Sequence, residues 1–192
     1  MKITRRPATV LLPAPTVLVS IADGAGKANI VTLAWAGTVC SAPPMIGIAV
    51  RPSRYSYELL QRSPDFVVNI PRASQVREVD YCGSVSGREV DKFEACGFHA
   101  LPASRVLSPL IEECPVSMEC VTRHRLALGA HDLFIAEIVA VQCDEDVLDA
   151  RGRLVPAKVD ALAYVHGEYW SLKEKVGGYG FSVKRPKGEA KT

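Results

Sequence analysis

No two of the six cysteines stand two or three residues apart, so the chain has no CxxC pair for zinc or for disulfide exchange. Cys40, Cys82, Cys96, Cys114, Cys120 and Cys143 sit mostly among apolar neighbours, as in "IVAVQC". Free cysteine behaves as a small buried residue. The expectation is reduced, structural thiols in a cytoplasmic protein. His99, His124 and His166 lack metal-ligand spacing to His131. A metal site is therefore not expected. No GxGxxG appears and strands do not alternate with helices throughout, which argues against a Rossmann sheet. No apolar run reaches the ~18 residues of a membrane helix. No internal repeat is visible. The net charge of +2 is too small for a general nucleic-acid binder.

The N-terminus "MKITRRPATVLLPAPTVLVSIADGA" carries a basic start and an apolar stretch, which superficially fits a secretory or twin-arginine signal. Pro7, Pro13 and Pro15 break that stretch. "TVLVSIA" followed by the glycine-rich "DGAGK" reads better as a first strand and turn. Residues 1–14 are taken as an N-terminal extension, 15–180 as one domain, and 181–192 as a charged, disordered tail.

What is present is an ordinary globular composition. Of 192 residues, 48% are hydrophobic and 23% charged, enough for one sizeable core. Strands are expected at Thr16–Ala22, Ile30–Trp35 and Met45–Val50, and at "DFVVNIP", "PVSMECVTRHRLAL", "HDLFIAEIVAVQC" and "ALAYVHG". Two short helices are inserted. One runs from Ser53, as its cap, to Arg62; the other lies in "SQVREVDYCG", with Gly83 as its stop. "SVSGREVDKFEA" is an irregular loop or a loop running into a helical turn. Short strands at close spacing favour a closed or nearly closed antiparallel barrel, mainly β with short helices.

One stretch carries chemistry in its own right. "MIGIAV" stops abruptly at "RPSRYSYELL". A helix start offers unpaired N–H groups and partial positive charge. Ser53 and Ser56 add hydroxyls, and Arg51 and Arg54 add full charges. Such a combination suits a phosphate monoester, and equally describes a capped surface helix with solvated arginines. The other features are weaker alone. Asn29, Thr32 and Trp35 recur every three residues, which places them on alternating faces of a strand. In "SGREVDKF", Gly87 loosens the backbone and Lys92 is a mobile cation. His131 opens a strand and either faces a cleft or caps an edge. Glu137, in a very apolar strand, faces the exterior or a subunit interface, or is buried with a partner.

The order "PTVLVS", "GKANIVTLAWAGTVCSAPP", "RPSRYSYELL", "DFVVNIP", "SGREVDKF", "ECV", "HDLFIAEIVAV" resembles the flavin reductase-like, FMN-binding split-barrel family, from about Pro15 to about Tyr169. The resemblance implies a Greek-key split barrel forming a homodimer, with one FMN near each end of the dimer interface. By similarity, Asn29, Thr32 and Trp35 line the isoalloxazine side, followed by Ser41. Arg51, Ser53, Arg54 and Ser56 correspond to the phosphate segment. Ser86, Gly87 and Lys92 correspond to a loop closing over the cofactor. Lys92 then serves either the ring near N1 and C2=O or the phosphate.

His131 corresponds to a histidine found in "GDH" in many relatives, near where nicotinamide docks; here the triplet is "GAH", with Ala130 in place of the acid. The implied function is an FMN-dependent oxidoreductase. It would take hydride from NADH or NADPH and pass electrons to free flavin, a partner redox protein or a small acceptor. A flavoredoxin-type electron carrier and a non-catalytic FMN-binding or storage dimer are the alternatives.

Overall fold

The computed structural model describes residues 1–22, 24–25, 27–172 and 174–183. Most of the tail read as disordered, from residue 184 onward, lies outside the described residues. Among the described residues there are twelve strands: β1 (Ala14–Pro15), β2 (Val17–Ala22), β3 (Ala28–Leu33), β4 (Ala36–Ser41), β5 (Pro44–Val50), β6 (Asp65–Ile70), β7 (Ala100–Leu101), β8 (Leu110–Ile111), β9 (Val116–Ala127), β10 (Asp132–Cys143), β11 (Leu162–Val165) and β12 (Glu168–Ser171). Four α-helices join them: α1 (Tyr55–Arg62), α2 (Val76–Ser84), α3 (Lys92–Cys96) and α4 (Pro156–Val159).

Seven strands form one antiparallel sheet in the order β3-β2-β6-β9-β10-β5-β4. The hairpins β2-β3, β4-β5 and β9-β10 are interleaved, which is the Greek-key pattern. The edge strands β3 and β4 are not hydrogen-bonded to each other, so the barrel stays split. The expected mainly β split barrel is thus the observed fold.

The apolar strands are buried on two sides. Val17, Val19 and Ile21 of β2 face the barrel interior with Ile48, Phe66, Phe134 and, from α1, Tyr57, Leu59 and Leu60. Leu18 faces the opposite way, with Ile30, and meets Val79 and Cys82 of α2 and Phe93 of α3. Burial on both faces explains why "VLVSIA" shows a nearly continuous apolar run rather than clean alternation. Each fully buried aliphatic side chain contributes about 1.5–3 kcal/mol.

Polar residues on the outward face pin a long connection. Asp65 accepts from the N–H groups of Leu107 and Ser108 at 3.1 and 3.0 Å. Glu119, fully buried, accepts from the Ser104 and Arg105 N–H groups, the Ser104 hydroxyl and the Gln142 amide. Burial acts to raise the Glu119 pKa, but these donors outweigh it and hold the carboxyl below its ordinary range. Glu137, the carboxylate singled out from the sequence, instead points outward and pairs with Arg123 at 2.9 Å.

Several expectations need correction. Ser53 does not cap α1. The N-cap is Arg54, without a side-chain cap, because the Arg54 N–H closes a turn onto the Arg51 carbonyl at 3.0 Å. Gly83 does not stop α2 but lies inside it. A Cβ there would stand 3.2 Å from Thr32 Cβ, so this glycine permits the close approach of α2 to β3. β4 was not expected. Its side chains are mostly exposed, and it pairs only with β5, so it lacks the apolar pattern that signals a strand. "SVSGREVDKFEA" is a loop running into α3, whose N-cap Asp91 accepts from the Phe93 and Glu94 N–H groups.

Candidate active site

Between β3, the end of β5, α2 and the β11–β12 hairpin lies a cavity of about 730 Å³. A second, narrower one of about 90 Å³ sits behind the start of α1. Val31 and Arg54 line both, which places the two side by side as a wide chamber and a narrow one.

The narrow chamber is lined by Ser53, Arg54, Ser56, Ser86, Gly87 and Lys92, with no carboxylate among its lining residues. Lys92 is only 4% exposed, so it is not the mobile cation expected from the sequence. Its ammonium donates to the carbonyls of Ile30 and Cys82 at 2.8 and 2.7 Å. That leaves one N–H unassigned. No carboxylate pairs with Lys92 among the described residues. Burial pushes the Lys92 pKa down; the Cys82 thiol opposes that shift, the nearby Arg54 charge adds to it, and the Cys96 thiol opposes it further. Asn29 donates its amide to Ser56 Oγ at 2.7 Å, so the Ser56 hydroxyl proton is free to be donated elsewhere. The N–H groups of Tyr55 and Ser56, at the open end of α1, have no intrahelical acceptor.

Gly87 is required here by close approach rather than by backbone freedom. A Cβ would come within 2.0 Å of Asn29 Oδ1 and 3.0 Å of the Tyr55 ring.

The wide chamber is walled on one side by Thr32, Trp35 and Arg51, with His131 nearby. The Trp35 and His131 rings lie 4.3 Å apart, tilted by 41°. Arg51 Nε donates to His131 Nε2 at 3.3 Å. Burial and the Arg51 charge both lower the His131 pKa. Thr32 donates its hydroxyl to the Val79 carbonyl at 2.5 Å, tying the chamber wall to α2. Behind His131, Asp132 accepts from Tyr57 and from Arg125 at 2.7 and 2.8 Å, and these bonds keep its carboxyl ionised below the ordinary range despite burial.

The structure thus brings Ser53, Arg54, Ser56, Ser86, Gly87 and Lys92 together, and separately Thr32, Trp35, Arg51 and His131. Arg51 falls with the second group, away from the serines beside it in sequence. Asn29 supports the narrow chamber from below. Ser41 ends β4 on the exposed surface and lines neither chamber. The sequence reading missed the opposite wall of the wide chamber: Leu11, Leu12 and Thr16 near the N-terminus, Asp80 and Ser84 of α2, and Tyr164, His166 and Tyr169 of the β11–β12 hairpin. The one local signal was His166-Gly167, a turn dipeptide with both residues at positive φ.

Residues 9–173 match the family described as the flavin reductase like domain. The chain belongs to the flavin reductase-like family. Flavoredoxin of Desulfovibrio vulgaris (Miyazaki F) superposes with a TM-score of 0.90 at 32% identity, covering 96% of this chain and 100% of that one. An FMN-binding protein from Thermus thermophilus, solved with bound 1-cyclohex-2-enone, superposes with a TM-score of 0.80 at 26% identity, covering 93% and 99%. Among curated sequences, an uncharacterized protein of Archaeoglobus fulgidus is 31% identical over 131 residues, which is 68% of this chain and 73% of that one. This flavin reductase-like chain therefore shares both sequence and split-barrel geometry with flavoproteins of known structure.

Proposed function

We propose that this protein binds FMN and is an FMN-dependent oxidoreductase that takes hydride from NADH or NADPH. The observation that carries the reading is Lys92. A buried ammonium without an anion partner is costly, and here it faces a small chamber of hydroxyls, a guanidinium and free N–H groups. A phosphate monoester would supply the missing anion.

The residues present fit FMN. Ser53, Arg54, Ser56, Ser86 and Lys92 would hold the phosphate at the narrow end. Thr32 and Trp35 would flank the ring system in the adjoining wide chamber, and His131 would line the side from which a nicotinamide approaches. When bound, FMN supplies the redox chemistry, so the protein needs no strong acid or base of its own. The chain's residues bind, orient and partly shield. Asn29 orients Ser56, Thr32 anchors the wall to α2, and Trp35 packs the imidazole of His131. The naming of the Thermus thermophilus relative as an FMN-binding protein supports the cofactor.

The likeness to flavoredoxin supports a second reading, an electron carrier that is reduced by a partner protein rather than by nicotinamide. We further propose a homodimer in the cytoplasm. Exposed Val39, Leu126 and Val141 on the long sheet, with Leu128 in the turn beside it, support a self-association surface, and the free thiols support a reducing compartment. No helix among the described residues is long and apolar enough to cross a membrane.

The test is spectroscopic. Purified protein, mixed with FMN, is expected to retain a yellow chromophore through gel filtration. Anaerobic mixing with NADH and NADPH should then bleach it rapidly. Bleaching only by dithionite or a reduced donor protein selects the electron carrier, and protein that takes up no FMN refutes both readings.

A further inference from the structure

We infer that Arg51 is a positioning residue for His131. It fixes the imidazole in its neutral Nδ1–H form and turns that N–H, rather than a lone pair, toward the wide chamber. The argument starts from the bond itself. A guanidinium has only donors, so the 3.3 Å contact from Arg51 Nε requires a lone pair on His131 Nε2. The ring proton must then sit on Nδ1. That N–H has no protein acceptor among the described residues, and is left for a carbonyl or other acceptor in the chamber.

The surroundings favour the same state. Trp35 packs against the ring at 4.3 Å and holds its plane. The neighbouring carboxylate, Asp132, is engaged by Tyr57 and Arg125 and does not reach the imidazole. Of the other titratable groups lining the chamber, Asp80 accepts from Tyr169, Tyr164 packs edge-on against Tyr169, and among the described residues neither Arg54 nor His166 hydrogen-bonds to His131. Protonating His131 would expel the Arg51 donor and set two cations side by side. Burial and the Arg51 charge both disfavour it.

This inference deepens the proposed flavin chemistry, in which a neutral donor at His131 would hold a polar group of the incoming substrate. It also moves Arg51 away from the phosphate. It can be tested without any flavin. Long-range proton–nitrogen NMR on the flavin-free protein, with the His131 ring assigned through His131→Gln, reports tautomer and titration midpoint directly. The wild type is expected to show mainly the Nδ1–H form, with a midpoint below the ordinary 6.5. In Arg51→Met the Nε2–H form should become the major one and the midpoint should rise. Arg54→Met, which removes an equal charge from the same chamber, should leave the tautomer unchanged. A wild-type ring mainly in the Nε2–H form, or an unchanged tautomer in Arg51→Met, overturns the inference. So does an equal change in Arg54→Met. A tenfold or greater loss of FMN affinity in Arg51→Met, with riboflavin binding intact, would return Arg51 to the phosphate and also overturn it.

Discussion

The Asn29 amide donates to Ser56 Oγ at 2.7 Å, joining β3 to the first turn of α1 across 27 residues of sequence. Both partners are buried, Asn29 at 6% and Ser56 at 2% exposure. The bond uses a lone pair of the serine, so its proton remains available to an anion in the narrow chamber. Asn29→Ala is expected to lower FMN affinity about as much as Ser56→Ala. The double variant should lose little more than either alone, because the two act as a unit. Titration by quenching of flavin fluorescence measures this; additive losses would separate the two residues.

Lys92→Met should weaken FMN by roughly ten- to a hundredfold, the equivalent of about 1.5–3 kcal/mol for one charge-assisted hydrogen bond. Riboflavin, which lacks the phosphate, should lose much less. Equal losses for both ligands would remove Lys92 from the phosphate. In thermal denaturation the flavin-free variant should differ little from the wild type, since relief from burying a cation without an anion partner is offset by the loss of its hydrogen bonds to the Ile30 and Cys82 carbonyls.

The same residue predicts a pH dependence. The folded-state pKa of Lys92 lies below its unfolded value of 10.5. The folded chain therefore gives up this proton before the unfolded chain does. The stability of the flavin-free protein should gain from this group as pH rises through the folded value toward the unfolded one. FMN affinity should fall over the alkaline range as the cation is lost. Parallel thermal melts and FMN titrations on the wild type and Lys92→Met check both slopes, and the difference between the two proteins isolates the lysine.

Gly87→Ala places a methyl within 2.0 Å of Asn29 Oδ1. Relief requires moving Asn29 or the 86–88 backbone, at a cost of about 1–3 kcal/mol. FMN binding should suffer together with stability. A variant of wild-type stability and affinity would show that the loop shifts freely.

Glu119→Gln should destabilise the fold by about 1.5–3 kcal/mol, because a neutral amide accepts less strongly and directs an N–H at backbone donors. The Glu119 carboxyl is held below its ordinary 4.5, so its stabilisation is complete above that value and is lost as pH falls through the lower folded value. Thermal melts from pH 7 downward should show the wild type converging on Glu119→Gln, and a constant gap would refute the assignment.

Much of the fold was legible because β2, β5 and β6 carry apolar or β-branched runs bounded by turn residues. Edge strand β4 was not, since exposure on both faces leaves no pattern. The cap of α1 was misplaced by one residue because a serine before a helix signals a cap. Here the chain first closes a turn between Arg51 and Arg54. Gly83 reads locally as a stop, yet its meaning comes from Thr32 on another strand.

By itself the sequence determined the barrel class, the inserted helices and a cluster of cations and hydroxyls around 51–56. Those follow from local periodicity and from residue chemistry that acts over a few positions. Only the tertiary structure decided that Arg51 and Arg54 part company, one to His131 and the other to the serines. It also decided that Lys92 is buried rather than mobile, and that residues near Leu11 and Tyr164 wall the larger chamber. These relationships join residues from 10 to more than 150 positions apart. Antiparallel strand order and helix packing set them, and neither is written in the spacing of neighbouring residues.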